Sequence, residues 1–168
     1  MLLVAAVVAM GVNGDGRREL LGLKVGNSET EAFWAEFISH LKERGLGGVK
    51  LVISDAHSGL TKAIRRQLQG SVWQRCCVHF ARNLLQCVPK AHLGMVTAAL
   101  RSVFAQETAA EIESRWDDLA ASLAERFPKA AALMHEARED VLAFRHFPKD
   151  HWRKIWSTNL LERVNEEI

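Results

Sequence analysis

An aspartate follows directly on a predicted buried strand in the segment LVISDAHSGL, residues 51–60. Residues 51–54 are mostly apolar and partly β-branched, as in a strand, and apolar residues recur at helical spacing from Leu60 onward. Asp55 is therefore predicted at the carboxyl end of a strand, the edge of an open α/β sheet where ligands bind. The alternative is that Asp55 only caps the next helix, since aspartate is a preferred N-cap residue.

Cysteine and histidine residues cluster within residues 74–92, which begin QRCCVHFARN. Their spacing, C-x-x-H-x7-C-x4-H, resembles a zinc site only loosely because the ligands do not come in clean pairs. Cys87 falls within an apolar helical pattern, where a free cysteine packs as a small hydrophobic residue. We therefore favour a structural role for Cys76 and His79, supporting a neighbouring site rather than binding a metal themselves.

A second acidic candidate lies in the segment IWSTNLLERVNEEI, residues 155–168. Ser157, Thr158 and Asn159 can cap a helix, and Glu162 would then lie on its first turn, on the same face as Asn159. A carboxylate at that position gains from the helix dipole. The alternative is an ordinary surface glutamate, the commonest fate of a helical glutamate.

The predicted elements follow the order β-β-α-β-α-β and then a run of helices, which is typical of an α/β fold with added helices. A capping box from Ser28 to Glu31 opens the first helix, and the turn Asn13-Gly14-Asp15-Gly16 joins the first two strands. The predicted strands cover residues 2–12, 18–25, 49–54 and 71–80, and the later helices cover 81–88, 92–104, 108–127, 130–144 and 152–168. This organisation predicts a sheet portion over residues 1–80, a helical region over 81–149 that is either appended or inserted, and a further helix that starts within 150–168.

Composition indicates an intracellular globular protein. Apolar residues make up 48% of the chain and charged residues 25%, and the net charge of +2 is too small to indicate a nucleic-acid partner by itself. The three cysteines, two of them adjacent, exclude a disulfide framework. The apolar opening MLLVAAVVAM has no basic lead-in and is too short to span a bilayer, so we interpret it as a buried strand and expect no membrane partner.

Taken in order, the segments LVISDAHSGL, WQRCCVHFARNLL and RKIWSTNLLERVN resemble the mutator-type transposases of bacterial insertion sequences. The preceding stretch GVNGDGRRELLGLKVGNSETEAFWAEFISHLKERGLGGV is similar to the same family. The resemblance therefore covers essentially the whole chain. Each motif is weak alone, but their ordered combination is specific.

The resemblance implies an RNase H-like catalytic domain with a mixed sheet and a large helical insertion. Three acidic residues of this family bind two divalent ions, Mg²⁺ or Mn²⁺, and catalyse DNA cleavage and strand transfer at transposon ends. Asp55 corresponds to the second acidic residue, and Glu162, in the motif that begins with Thr158 and Asn159, to the third. The C-x-x-H signature of the family corresponds to Cys76 and His79.

The resemblance also implies what this chain lacks. The first acidic residue of the family belongs on a strand upstream of residue 2, and Asp15 is no substitute because it lies in a hairpin turn. We therefore expect an incomplete RNase H-like sheet and a chain truncated at both ends, with a missing region that recognises transposon ends. The alternative function is a catalytically inactive remnant that acts only as a DNA- or protein-binding module.

The expected partners follow from the same resemblance. They are the terminal inverted repeats of the element and its target DNA, together with a second copy of the chain or a full-length transposase. Such a protein acts in the bacterial cytoplasm, at the nucleoid. The basic residues that are candidates for contacts with DNA phosphates are Arg82, Lys90, Arg153 and Lys154.

Overall fold

The computed structural model describes residues 5–26 and 29–158 as a mixed α/β structure. The strands are β1 (Ala5–Val12), β2 (Arg18–Gly26), β3 (Leu51–Ser54) and β4 (Val72–Arg75). The helices are α1 (Glu31–Glu43), α2 (Ser58–Gln67), α3 (Cys77–Gln86), α4 (Leu93–Phe104), α5 (Ala109–Ala124), α6 (Pro128–Val141) and α7 (Trp152–Ile155), with 3₁₀ turns at Lys90–His92, Ala143–His146 and Lys149–His151. Within the described residues, one compact unit comprises residues up to 52 and 56–73, and the other comprises 53–55 and 74–158.

The first unit opens with the predicted hairpin, in which β1 and β2 are antiparallel. Asn13 closes the turn, because its Oδ1 accepts hydrogen bonds from the backbone N–H groups of Asp15 and Arg17, each at 3.0 Å. Gly16 follows with a positive φ of 78°, a conformation that glycine adopts without strain. The hairpin prediction is confirmed for the residues that the structure describes.

Helices α1 and α2 pack together in this unit. The predicted cap Ser28 lies outside the described residues, and Thr30 caps α1 instead by accepting a hydrogen bond from the N–H of Phe33. A Cβ atom at Gly59 would lie 2.8 Å from the backbone nitrogen of Glu31, so only glycine permits this approach of α2 to the start of α1. The buried core of the unit consists of Val7, Trp34, Phe37, Ile38, Leu41, Ala63 and Ile64.

The second unit is mainly helical, and tryptophans contribute to its buried core. Trp116 is fully buried against Phe80, with ring centroids 5.2 Å apart. Trp152 and Trp156 both pack edge-on against Phe144. The predicted helix over 152–168 ends sooner, since α7 stops at Ile155 and residues 159–168 lie outside the described part of the chain.

The described strands form two separate two-stranded sheets, β1–β2 and β3–β4, where the sequence predicts one mixed sheet. The α/β class is confirmed. In the described part of the chain, no helix is long and apolar enough to cross a membrane.

A buried glutamine, Gln74, joins strand β4 to the helical part of the second unit. Its side chain is fully buried, and its amide nitrogen donates hydrogen bonds to the carbonyls of Arg75 at 2.8 Å and Val141 at 2.7 Å. Its amide oxygen accepts a hydrogen bond from the backbone N–H of Phe144 at 2.7 Å. The amide thus satisfies backbone groups at the end of α6 that burial would otherwise leave without partners.

We expect Gln74→Leu to lower the free energy of unfolding by about 2–4 kcal/mol, because it leaves the Val141 carbonyl and the Phe144 N–H buried without their partner. Gln86→Leu, at an exposed position at the end of α3, should change it by less than about 0.5 kcal/mol. Urea unfolding followed by tryptophan fluorescence measures both. Equal stability of the two variants would contradict this role of Gln74.

Two arginines form an ionic network across α5, α6 and the turn that follows. Arg138 lies 2.8 Å from Asp117, and Arg145 lies 2.8 Å from Glu113 and 2.6 Å from Glu139. The hydrogen bond from Arg145 lowers the pKa of Glu113 and of Glu139, and the hydrogen bond from Arg138 lowers the pKa of Asp117. Each of these carboxylates is thus easier to ionise in the folded chain than in the unfolded one.

The lowered carboxylate pKa values predict a loss of stability in acid. Their contribution is present above the unfolded pKa values, near about 4, and is lost as the pH falls through the folded values. In Arg145→Met the free energy of unfolding should therefore fall less steeply with acidification than in the parent. Urea unfolding between about pH 3 and 7 measures this slope. Arg101→Met, at an exposed position on α4, should keep the parent slope, and identical slopes for all three proteins would contradict the prediction.

Candidate active site

Strands β3 and β4 bring two of the predicted site residues to the same edge of a sheet. The N–H of Val72 donates to the carbonyl of Lys50 at 2.9 Å, and the N–H of Cys76 donates to the carbonyl of Ser54 at 2.8 Å. Both strands advance by four residues between these two bonds, so they run parallel. The residues that follow each strand therefore emerge together at the carboxyl edge, where α/β sheets bind ligands.

Asp55 is the first residue beyond β3, and it does not cap the next helix. The cap of α2 is His57, whose Nδ1 accepts a hydrogen bond from the N–H of Leu60 at 3.4 Å. The Asp55 side chain is 52% exposed, and its Oδ1 lies 2.6 Å from Nδ1 of His79. The capping alternative for Asp55 is therefore wrong, and its carboxylate is available to a ligand at the sheet edge.

Helix α3 brings His79 to this carboxylate. The predicted strand over 71–80 is wrong beyond Arg75, because the backbone turns at Cys76, the N-cap of α3, and continues as helix from Cys77. His79 then lies in the first turn of α3, close to Cys76. The ligand atoms of Asp55, Cys76 and His79 all lie within 4.8 Å of one another, and no other such group of three histidine, cysteine or acidic side chains occurs in the described part of the chain.

Cys76 connects this edge to the motif that precedes Glu162. Its side chain is fully buried, and its Sγ accepts hydrogen bonds from the backbone N–H and from the hydroxyl of Thr158, both at 3.4 Å. The N–H of Cys77 donates to the carbonyl of Trp156 at 2.9 Å. The segment that leads to Asn159 and Glu162 is therefore held at the start of α3, whereas those two residues themselves lie outside the described residues.

Arg75 is a charged residue of the site that sequence reasoning missed. It is only 9% exposed, and its guanidinium lies over the ring of Phe80, 5.4 Å from the ring centroid. Burial lowers the pKa of Arg75, and the negative charges of Glu136, Asp140 and Asp55 oppose that shift. The signal in the sequence was a charge at the end of a predicted buried strand, where an arginine is retained only with compensating acids nearby.

The remaining predicted residues do not join this cluster. Cys87 donates a hydrogen bond from its thiol to the carbonyl of Asn83, and His92 contacts Arg126 and the ring of Phe127, so the zinc-like spacing of the sequence is not assembled as one site. The basic residues predicted to contact DNA are all exposed in the second unit: Arg82 on α3, Lys90 in a 3₁₀ turn, and Arg153 and Lys154 on α7.

Comparison with known proteins agrees with these motifs. The family described as "Transposase, Mutator family" matches residues 2–168. The chain is 42% identical over 165 residues to the transposase for insertion sequence element IS1081 of Mycobacterium tuberculosis, a match that covers 98% of this chain and 40% of that protein. It is 39% identical over 167 residues to the ISRM5 transposase of Rhizobium meliloti, covering 98% of this chain and 41% of the relative.

A third relative is the transposase for IS256 in transposon Tn4001 of Staphylococcus aureus, which is 36% identical over 168 residues and is matched over 42% of its length. The chain thus spans about 40% of the length of the curated relatives that it matches. The family match extends over nearly the whole chain and includes the segments that carry Asp55, Cys76 and His79. The chain belongs to the mutator family of transposases.

Proposed function

We propose that this chain carries part of the catalytic centre of an insertion-element transposase, in which Asp55 and Glu162 hold divalent ions for DNA strand cleavage and transfer. The observation that carries the proposal is the position of Asp55. It follows one of two parallel strands, its carboxylate is half exposed, and His79 rather than a helix end is its partner. Membership of the mutator family supplies the reaction.

An RNase H-like fold is part of this proposal. Its support is that the chain contains both an antiparallel hairpin and a parallel pair connected by α2, the two kinds of pairing that a mixed sheet combines; here they form two separate sheets. The helices that follow β4 agree with a helical insertion between Asp55 and Glu162. The DNA substrate would lie at the carboxyl edge of β3 and β4, with Arg82, Lys90, Arg153 and Lys154 offering positive charge to its phosphates.

The donor chemistry of Asp55 fits Mg²⁺ or Mn²⁺, because these hard ions take oxygen ligands and an exposed carboxylate provides them. Two such ions, when bound, activate a water molecule and stabilise the leaving oxygen. His79 orients the Asp55 carboxylate through the 2.6 Å contact. Thr158, held by Cys76, leads into the segment from which Glu162 would supply the second carboxylate.

Isothermal titration of Mn²⁺ into this chain tests the proposal. Asp55→Asn and Glu162→Gln should each weaken binding at least about 10-fold, the equivalent of about 1.4 kcal/mol, because each removes a charged oxygen ligand. Asp15→Asn, which changes an exposed carboxylate in the hairpin turn, is the matched control and should bind as the parent does.

The proposed catalytic role would be overturned if Asp55→Asn and Glu162→Gln both kept the Mn²⁺ affinity of the parent, or if Asp15→Asn lost as much affinity as they do. A chain that binds no Mn²⁺ but still shifts DNA carrying the inverted repeats of its element would instead be a DNA-binding module without catalytic activity.

A further inference from the structure

Three side chains of different donor chemistry meet at the carboxyl edge of β3 and β4. We propose that Asp55, Cys76 and His79 form a binding site for a zinc ion. Their ligand atoms, a carboxylate oxygen, a sulfur and an imidazole nitrogen, lie within 4.8 Å of one another. The inference does not rest on the proposed function, although the two share Asp55.

The donor set selects zinc over the hard ions. Zinc takes sulfur, nitrogen and oxygen ligands together, and sites with three protein ligands keep a fourth position for water. Magnesium avoids thiolates and prefers six oxygen ligands. The side chains of Asp55 and His79 are 52% and 28% exposed, so solvent reaches two of the three ligand residues.

A tetrahedral zinc site requires the three ligand atoms to lie closer together than the 4.8 Å that bounds their separations here. With zinc–sulfur bonds of about 2.3 Å and zinc–nitrogen or zinc–oxygen bonds of about 2.0–2.1 Å, neighbouring ligand atoms lie about 3.3–3.6 Å apart. The 2.6 Å contact between Asp55 and His79 must therefore widen by less than about 1 Å. Cys76 is fully buried, so the partly exposed side chains of Asp55 and His79 would have to supply the movement towards it.

Cys76 is the cysteine that its surroundings prepare as a ligand. Its Sγ accepts two hydrogen bonds from Thr158, and it is the N-cap residue of α3. Cys77 faces the core, where burial raises the pKa of its thiol to about 12. Cys87 uses its thiol as a donor to the Asn83 carbonyl. Hydrogen bonds of the kind that Thr158 makes hold metal ligands in position.

Zinc at this site would use the carboxylate that the proposed catalytic ions require. A zinc-loaded chain would then bind Mn²⁺ at Asp55 less well, so the two metals would compete. The ligands do not include Cys87 or His92, which the spacing of the sequence alone groups with Cys76 and His79.

Cobalt(II) absorption spectroscopy on the reduced 168-residue chain tests the site, with Co²⁺ as the probe and Zn²⁺ as its competitor. We expect a thiolate-to-cobalt charge-transfer band and the visible bands of tetrahedral Co²⁺, both abolished by zinc. Cys76→Ser should remove the charge-transfer band. Asp55→Asn and His79→Gln should each weaken zinc competition at least about 10-fold. Cys87→Ser is the matched cysteine control and should leave the spectrum unchanged.

Thr158 supplies a finer test of the same site. Thr158→Val keeps the shape of the side chain but removes the hydroxyl that donates to Cys76, and it should weaken zinc binding about 10-fold. Thr158→Ser retains the hydroxyl and should bind zinc as the parent does. If the hydroxyl of Thr158 played no part in metal binding, Thr158→Val and Thr158→Ser would bind zinc with the same affinity.

The absence of a charge-transfer band in the parent would overturn the proposal. So would a band that depends on Cys87, or zinc binding that is insensitive to Asp55→Asn or to His79→Gln. Circular dichroism establishes whether each variant is folded. If Cys76→Ser does not fold, the zinc affinity of His79→Gln tests the site instead, because the His79 side chain is partly exposed and its replacement should be tolerated. Because this test does not involve Glu162, it separates failure of the zinc site from failure of the Mn²⁺ site.

Discussion

The arrangement of the site depends on the parallel pairing of β3 and β4. The bond from the N–H of Cys76 to the carbonyl of Ser54 closes this pairing at its carboxyl end, directly before Asp55. An antiparallel pair would have placed Asp55 and Cys76 at opposite ends of the strands. The same bond satisfies the backbone N–H of Cys76, which is also the N-cap residue of α3. The chain can therefore leave β4 and begin α3 without leaving this N–H unpaired. One short ladder therefore determines where both elements of the site begin.

A second constraint holds that ladder in place. Gln74 points from β4 into the helical unit and satisfies backbone groups at Val141 and Phe144, more than sixty residues later in the chain. On the next residue, the charge of Arg75 lies buried beside Phe80, with Asp55 among the acids that stabilise it. A buried amide and a buried guanidinium are costly without such partners, so both favour one packing of Gln74 and Arg75 against the helices of the second unit.

Local sequence patterns predict the elements whose stability is mainly local. Asn13 and Gly16 make the hairpin turn through their own backbone preferences, and β3 is short and β-branched, so both follow from composition. The cap of α1 was missed because serine is a better cap than threonine by type, which favours Ser28 over the observed cap Thr30. Glycine is required at residue 59 because α2 approaches the backbone of Glu31 closely. This approach is a tertiary property that no local sequence pattern contains.

The wrong strand over 71–80 shows how the chemistry of a motif constrains the backbone. Residues three apart, such as Cys76 and His79, face opposite sides of a strand but the same side of a helix. Valine, tryptophan and the two cysteines favour a strand by composition, whereas Cys77, Phe80 and Leu84 recur at helical spacing and are all buried in the helical core. A C-x-x-H pair that acts as one unit is therefore incompatible with a strand through both residues. The contact between Asp55 and His79 needs this helical start as well as the parallel ladder, and neither is encoded within a few residues of either side chain.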